Sequence, residues 1–300
     1  MNTQIIRNFS ELDAVTKGWR VNQETIAVVP TMGALHDGHL SLVNIAKRYA
    51  SRVIVTIFVN PKQFDQETDL ASYPRSEESD IRKLAPLSVD VVYIPDLEEI
   101  YPSDFATTIS VSGVADSLCG AFRKGHFDGV ATIVAKLFCQ TKADIAIFGE
   151  KDFQQIHVIK RMVQDLSLPT IIKNAPTIRE PDGLAMSSRN SGLTTSEREI
   201  APQLYNCLLS ATKKLEEGAP VAEVIGQTKE EILEAGFESV DYLELRTEQD
   251  LSLLAKLTAP SRLLVAAWLG KARLIDNVAL RPVKIPASKG PGILPIRELA

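Results

Sequence analysis

From residue 26 onward, short apolar runs rich in β-branched residues alternate with amphipathic stretches. The runs fall at residues 26–29, 53–59, 89–94, 145–148 and 170–172, and the stretches 40–49, 77–84, 131–141 and 153–166 carry apolar side chains at helical spacing. Strands that alternate with crossover helices build a parallel sheet, so the pattern predicts an α/β fold with a doubly wound parallel sheet. Beyond about residue 190 the texture changes. Thr195, Ser196 and Glu197 read as a helix start, and one long amphipathic helix is expected over 198–217. After a break at Gly218–Pro220, a second helix is expected over 221–235, then strands over 240–245, 262–269 and 272–280 in a small separate sheet. The chain therefore divides into a first unit, 1–185, a smaller α+β unit, 186–285, and a proline-bearing tail, 286–300.

Composition narrows what this fold can do. With 45% hydrophobic and 24% charged residues the chain can bury a substantial core, and no apolar run approaches the roughly 20 residues that span a bilayer. The first residues lack a basic segment followed by an apolar one, so a cytoplasmic protein without a membrane partner is expected. Cys119, Cys139 and Cys207 are scattered and have no metal or redox spacing. A net charge of −5 argues against nucleic acid as a partner and leaves phosphate chemistry to a few locally placed cations.

Four segments place such groups at strand ends. In VPTMGALHDGHL, residues 29–40, a strand runs into a glycine-bearing turn and a helix start, where free backbone N–H groups suit a phosphate. His36 and His39 add donors for developing phosphoryl charge. A lone histidine there would merely flank the helix, and nothing nearby completes a zinc set; it is the paired arrangement that points to chemistry. In AIFGEKDFQQ, residues 146–155, Gly149 admits a ligand against the backbone, Lys151 offers a point charge and Asp152 an acceptor for ribose hydroxyls, with Gln155 one turn on. In REPDGLAMSSRN, residues 179–190, Ser187, Ser188 and Arg189 form a short anion clamp. Lastly, FVNPKQF (58–64) and CGAFRKGHFDGV (119–130) bring Asn60 and Gln63 as neutral amides, Phe64 as an apolar wall, and Arg123 with Lys124 as balancing cations.

The segments PTMGALHDGHLSLV, FVNPKQF, YPR, GHFDGVATIVAKLF, GEKDFQQ and GLAMSSRN, in this order, resemble the pantothenate synthetase (pantoate–β-alanine ligase) family of the nucleotidyltransferase superfamily with a His-x-x-His signature. The match spans about residues 20–280. The resemblance implies a Rossmann-like nucleotide- and pantoate-binding domain, a smaller C-terminal lid domain and a homodimer. It assigns Met32, Gly33, Ala34, Leu35, His36, Asp37, Gly38 and His39 to ATP, with His39 as proton donor. Gly149, Glu150, Lys151, Asp152, Ile178, Met186, Ser187, Ser188 and Arg189 would complete the ATP site. Gln63 would contact both pantoate and β-alanine, and Gln155 pantoate, with Asn60, Phe64 and Arg123 nearby. Magnesium would bridge the ATP phosphates, with Asp80 as its nearest protein group, although EESD at 77–80 departs from the run of aspartates in some members.

The implied chemistry activates the pantoate carboxylate as an adenylate, releases pyrophosphate, and passes the acyl group to the β-alanine amine with loss of AMP. It needs no protein nucleophile, which matches the absence of a Ser-His-Asp or Cys-His set. Two rivals remain at the level of sequence. One is an adenylyltransferase acting on a phosphate ester, which would want more cations than the neutral Asn60 and Gln63 supply. The other is a non-catalytic nucleotide-binding regulator, which would have lost some of His36, His39, Lys151 and Arg189.

Overall fold

The structure, a computed structural model, describes residues 3–282, so the tail expected at 286–300 lies outside the described residues. Six strands form one sheet: β1 (Gln4–Ile6), β2 (Ile26–Thr31), β3 (Arg52–Ile57), β4 (Val91–Tyr93), β5 (Ile145–Gly149) and β6 (Ile171–Ala175). Their order is β1-β4-β3-β2-β5-β6 and every pairing is parallel. β2 and β3 pair along their full length, from Ile26 opposite Arg52 to Thr31 opposite Ile57.

Strand alternation supplies both faces of this sheet. Val28, Ile54, Val91, Ala146 and Phe148 pack into a cluster with the helices Phe9–Val21, His126–Thr141 and Phe153–Asp165. Ala27, Val29, Val53, Val55, Val92 and Ile147 pack on the other side with the helices Asp37–Tyr49 and Glu77–Leu84. The connections run outward through β3 on one side of β2 and through β6 on the far side of β5. The strand order reverses between β2 and β5, and a doubly wound sheet opens its crevice at the carboxyl ends of that pair.

The smaller unit differs from expectation at one proline. The helix read over 198–217 is two helices, Thr195–Ile200 and Gln203–Glu216, because Pro202 has no N–H to continue the first. The second of these packs on the helix Val221–Glu234, and both lie against an antiparallel sheet of β7 (Ser239–Thr247), β8 (Ser261–Leu269) and β9 (Ala272–Leu280). One face of that sheet, including Leu243, Leu263, Val265, Ala267 and Leu274, meets these helices. Tyr242, Leu264, Ala266 and Ile275, on the opposite face, pack into the core of the larger sheet. The short sheet is thus buried on both sides. Among the described residues, no helix is long and apolar enough to cross a membrane.

Candidate active site

The turn after β2 adopts a conformation that few side chains accept: Gly33 and Ala34 have φ of 77° and 49°. It is held by buried side chains. Thr31 Oγ1 donates to the carbonyl of Thr56 (2.7 Å) and accepts from the Gly33 N–H (3.2 Å). Asp80, fully buried on the helix Glu77–Leu84, accepts from the N–H groups of Ala34 and Leu35, each at 2.8 Å and each on its own oxygen. Lys83 donates to the carbonyl of Leu35 (2.5 Å). This corrects the expectation for Asp80: its carboxylate is committed to the loop backbone and does not line the crevice, so it is a poor candidate for reaching a metal.

Beyond the turn, the helix Asp37–Tyr49 starts at His36, and the two histidine rings stand 4.1 Å apart. The His36 backbone N–H donates to His39 Nδ1 (3.4 Å), which leaves Nε2 to carry the proton. Burial, together with His36, Lys151 and Lys83, lowers the His39 pKa to about 3. Burial and the Lys151 and Lys83 charges lower that of His36 to about 4. Both rings are therefore neutral at pH 7. His36 Nδ1 is buried without a partner among the described residues, the kind of orphan that a bound ligand satisfies. Gly38 makes room for this ring, since a Cβ there would lie 2.8 Å from His36 Nδ1.

At the end of β5, Lys151 lines the crevice, and its ammonium has no hydrogen bond or ion pair among the described residues. Desolvation lowers its pKa, and neighbouring Asp152 partly offsets the shift. Glu150 departs from the expected role: it turns away to pair with Arg262 (2.8 Å) and is not part of the lining. The third loop closes over the first, with Ser188 Oγ donating to the carbonyl of Ala34 (3.1 Å). Ser187 caps the following short turn by accepting from the Arg189 N–H (3.3 Å). Arg189 is engaged by Asp69 (2.8 Å) across the opening, with its guanidinium 5.6 Å from the Tyr73 ring centre.

On the other side of the crevice a chain of amides is set in order. Tyr101 OH donates to Asn60 Oδ1 (2.9 Å), and Asn60 Nδ2 donates to Gln63 Oε1 (2.9 Å) and to the Gly129 carbonyl (3.1 Å). With its oxygen occupied, Gln63 keeps its amide N–H groups for a ligand, a donor pair suited to a carboxylate or hydroxyl. His126 Nδ1 donates to the Gln63 carbonyl (2.7 Å), and Arg123 donates to His126 Nε2 (3.1 Å) and pairs with Asp65 (2.9 Å). Burial and the Arg123 charge lower the His126 pKa to about 3. Phe64 meets Tyr73 edge to face, at 5.5 Å between ring centres.

One cavity of about 840 Å³ is lined by Met32, His36, Gly38, His39, Gly149, Lys151, Asp152, Ile178, Met186, Ser187, Ser188 and Arg189. Asn60, Gln63, Phe64, Arg123 and Gln155 line it too. Gly33, Ala34, Leu35 and Asp37 lie outside the lining: they shape the turn, Leu35 from a buried position, while Asp37 is exposed. Lys124 is exposed and takes no part. Sequence reasoning missed Tyr101, His126, Asp69 and Asn277, whose side-chain NH₂ donates to the carbonyls of Glu150 (2.9 Å) and Lys151 (3.0 Å). His126 sits inside the GHFDG segment, which was a signal available in the sequence; the other three act through partners distant in the chain.

A doubly wound sheet with paired neutral histidines, a lysine unpaired among the described residues and a serine–arginine loop at its crevice defines a nucleotide-binding α/β protein built for phosphate chemistry. Residues 4–279 match the pantoate-beta-alanine ligase family, to which the chain belongs. It is 56% identical to a pantothenate synthetase of Chelativorans sp. (strain BNC1), over 96% of this chain and 100% of that one. It is 55% identical to one of Roseobacter denitrificans, over 93% and 98%. A solved pantothenate synthetase from Thermus thermophilus superposes with a TM-score of 0.88 at 40% identity, covering 93% of this chain and all of that one. A pantoate-beta-alanine ligase from Francisella tularensis, described as complexed with beta-gamma ATP and beta-alanine, superposes with a TM-score of 0.80 at 36% identity, over 92% and 97%.

Proposed function

We propose that this chain joins pantoate to β-alanine at the expense of ATP, through a pantoyl-adenylate intermediate. The observation that carries the reading is a single cavity with two unlike walls. One wall holds phosphate-facing groups, Lys151 with no partner among the described residues and the orphaned Nδ1 of His36; the other presents the Gln63 amide. In the first step a pantoate carboxylate oxygen attacks the α-phosphorus of ATP. The bond from that phosphorus to the bridging oxygen breaks, and pyrophosphate leaves with the electron pair. In the second step the neutral amine of β-alanine attacks the acyl carbon. The carbon–oxygen bond to AMP breaks, and the amine gives up a proton.

The protein's share is positioning and charge stabilisation. His39 acts as a neutral imidazole that offers its Nε2 hydrogen to a phosphoryl oxygen. Lys151 and Arg189 hold the departing phosphates, and Arg189 trades its Asp69 partner for them. Gln63, oriented by Asn60 and Tyr101, holds pantoate and then β-alanine, and Gln155 assists with pantoate. The cavity walls shield the adenylate from water. A phosphate-ester substrate is disfavoured, because Arg123, the cation beside Gln63, is already paired with Asp65. Magnesium does not fit a protein cage here: among the described residues no three His, Cys, Asp or Glu side chains gather, and Asp80 is committed to backbone. It would arrive on the phosphates of ATP. The reading includes a homodimer in the cytoplasm; a sedimentation mass of one chain at micromolar concentration would remove the dimer. Pyrophosphate release is the test. It should follow addition of pantoate to enzyme and ATP, with pantothenate formed only when β-alanine is added. No pantoate-dependent pyrophosphate would defeat the proposal.

A further inference from the structure

Among the described residues nothing holds the Lys151 ammonium, so its position depends on its backbone. That backbone is gripped from the smaller unit. Asn277, on β9 and only 4% exposed, donates through Nδ2 to the carbonyls of Glu150 (2.9 Å) and Lys151 (3.0 Å). The orientation of this amide is not free. Arg262 on β8 donates to Asn277 Oδ1 at 2.6 Å, and because a guanidinium only donates, the atom facing it must be the oxygen. The NH₂ is thereby aimed at the two carbonyls. Arg262 is in turn held by Glu150 (2.8 Å) and Glu248 (3.2 Å), and it lies 4.1 Å from the centre of the Phe153 ring. Antiparallel register puts the two residues on one face at diagonal positions: Arg262 pairs with Ala279, and Leu264 with Asn277.

We propose that Asn277 is a positioning residue for Lys151, with Arg262 setting the direction of its amide, so that the small unit fixes where the phosphate-facing ammonium stands. This rests on the reading of Lys151 given above. It also explains why Glu150 departs from the ATP lining: its carboxylate is needed on Arg262.

The test uses the full-length enzyme, with pantoate-dependent pyrophosphate release measured for Asn277→Ala, Asn277→Asp, Lys151→Ala and the double variant Lys151→Ala/Asn277→Ala. Asn277→Asp keeps size and the Arg262 partner but loses the donor, so it remains informative if the alanine variant does not fold. Each Asn277 variant should lower kcat by about 10- to 100-fold, the scale of a misplacement near 1 Å, with KM for pantoate unchanged. On the Lys151→Ala background the second substitution should change the rate by less than about twofold, because residues that act as a unit are not additive. Where the doubly substituted rate is too low to follow, the dissociation constant for ATP reads the same non-additivity. Wild-type kcat in Asn277→Asp, or losses that multiply across the double variant, would overturn the inference. Unchanged turnover in Lys151→Ala would instead strike the reading of Lys151 itself, and the inference with it.

Discussion

Replacing Gly129 with alanine should disable the small-substrate side of the cavity while leaving the nucleotide side nearly intact. Gly129 lies in the first turn of the helix His126–Thr141, where that helix presses on the 61–63 turn. A Cβ there would stand 2.2 Å from the Lys62 carbonyl oxygen, 2.4 Å from its carbon and 2.6 Å from the Gln63 nitrogen. These are backbone atoms, so no side chain can swing aside. Ordinary contact begins near 3.4 Å, and the turn and helix must separate by roughly 3.4 − 2.2 = 1.2 Å. That movement stretches two bonds that set Gln63: His126 Nδ1 to the Gln63 carbonyl at 2.7 Å, and Asn60 to the Gly129 carbonyl at 3.1 Å. Overpacking of this kind costs about 1–3 kcal/mol in stability. A reactant displaced by about 1 Å loses roughly 100-fold in rate. Steady-state assays should show kcat/KM for pantoate and for β-alanine down by about that factor, with KM for ATP within about twofold. Gly226→Ala is the control, because that helix glycine has nothing within 4 Å; it should be neutral or slightly stabilising. Wild-type kcat/KM for pantoate in Gly129→Ala, or a loss confined to ATP, would refute the reasoning.

Three further outcomes follow from the same geometry. Asp80→Asn removes one of two acceptors and turns an NH₂ toward a backbone N–H, at about 1–3 kcal/mol; KM for ATP should rise several-fold with the magnesium requirement unchanged, and a shifted magnesium requirement would restore a metal role. Asp69→Asn releases Arg189, so KM for ATP should fall about threefold or more at low salt, and a rise would mean that Asp69 helps to bind the nucleotide. The histidine pKa values of about 3 at His39 and His126 and about 4 at His36 lie below the ordinary 6.5, so the folded state favours the neutral rings. Stability is then full above pH 6.5 and is lost as pH falls toward the folded values; at pH 5 this amounts to about 2 kcal/mol for a well-buried ring such as His126. Denaturant midpoints that are equal at pH 7.5 and pH 5 would contradict it.

The parts of the fold that could be read from the chain were those whose cause is local. The run at 26–29 is apolar at every position because β2 is covered on both faces, and the glycine after it marks the turn that opens the crevice. β1, only three residues long, carries too short a pattern to be seen. Pro202 was overrun because the apolar spacing continues in step across it. The site divides in the same way. His36, His39, Lys151 and the 187–189 loop are legible because each follows a strand end or a turn that the residues themselves announce. The work of Asp80 was hidden, since a carboxylate beside other acids looks like a metal ligand until its partners, 45 and 46 residues away, are in view. Glu150 and Asn277 were hidden more deeply, because an ion pair and a hydrogen bond from a side-chain amide, across 112 and 127 residues, decide which way they face.

The two-sided burial of the β7–β8–β9 sheet bears on how this enzyme can be remodelled. Tyr242, Leu264 and Ala266 are as much part of the larger unit's interior as its own strands are, with Ile275 packed against them. The small unit is therefore not a cassette that can be exchanged with that of a relative while the rest stays as it is. A chimera joined near residue 185 has to carry both halves of this seam from one parent, or be re-cut along it. The seam extends to the Arg262–Glu150 pair, so an ill-matched graft would disturb the turn after β5 before any substrate arrives.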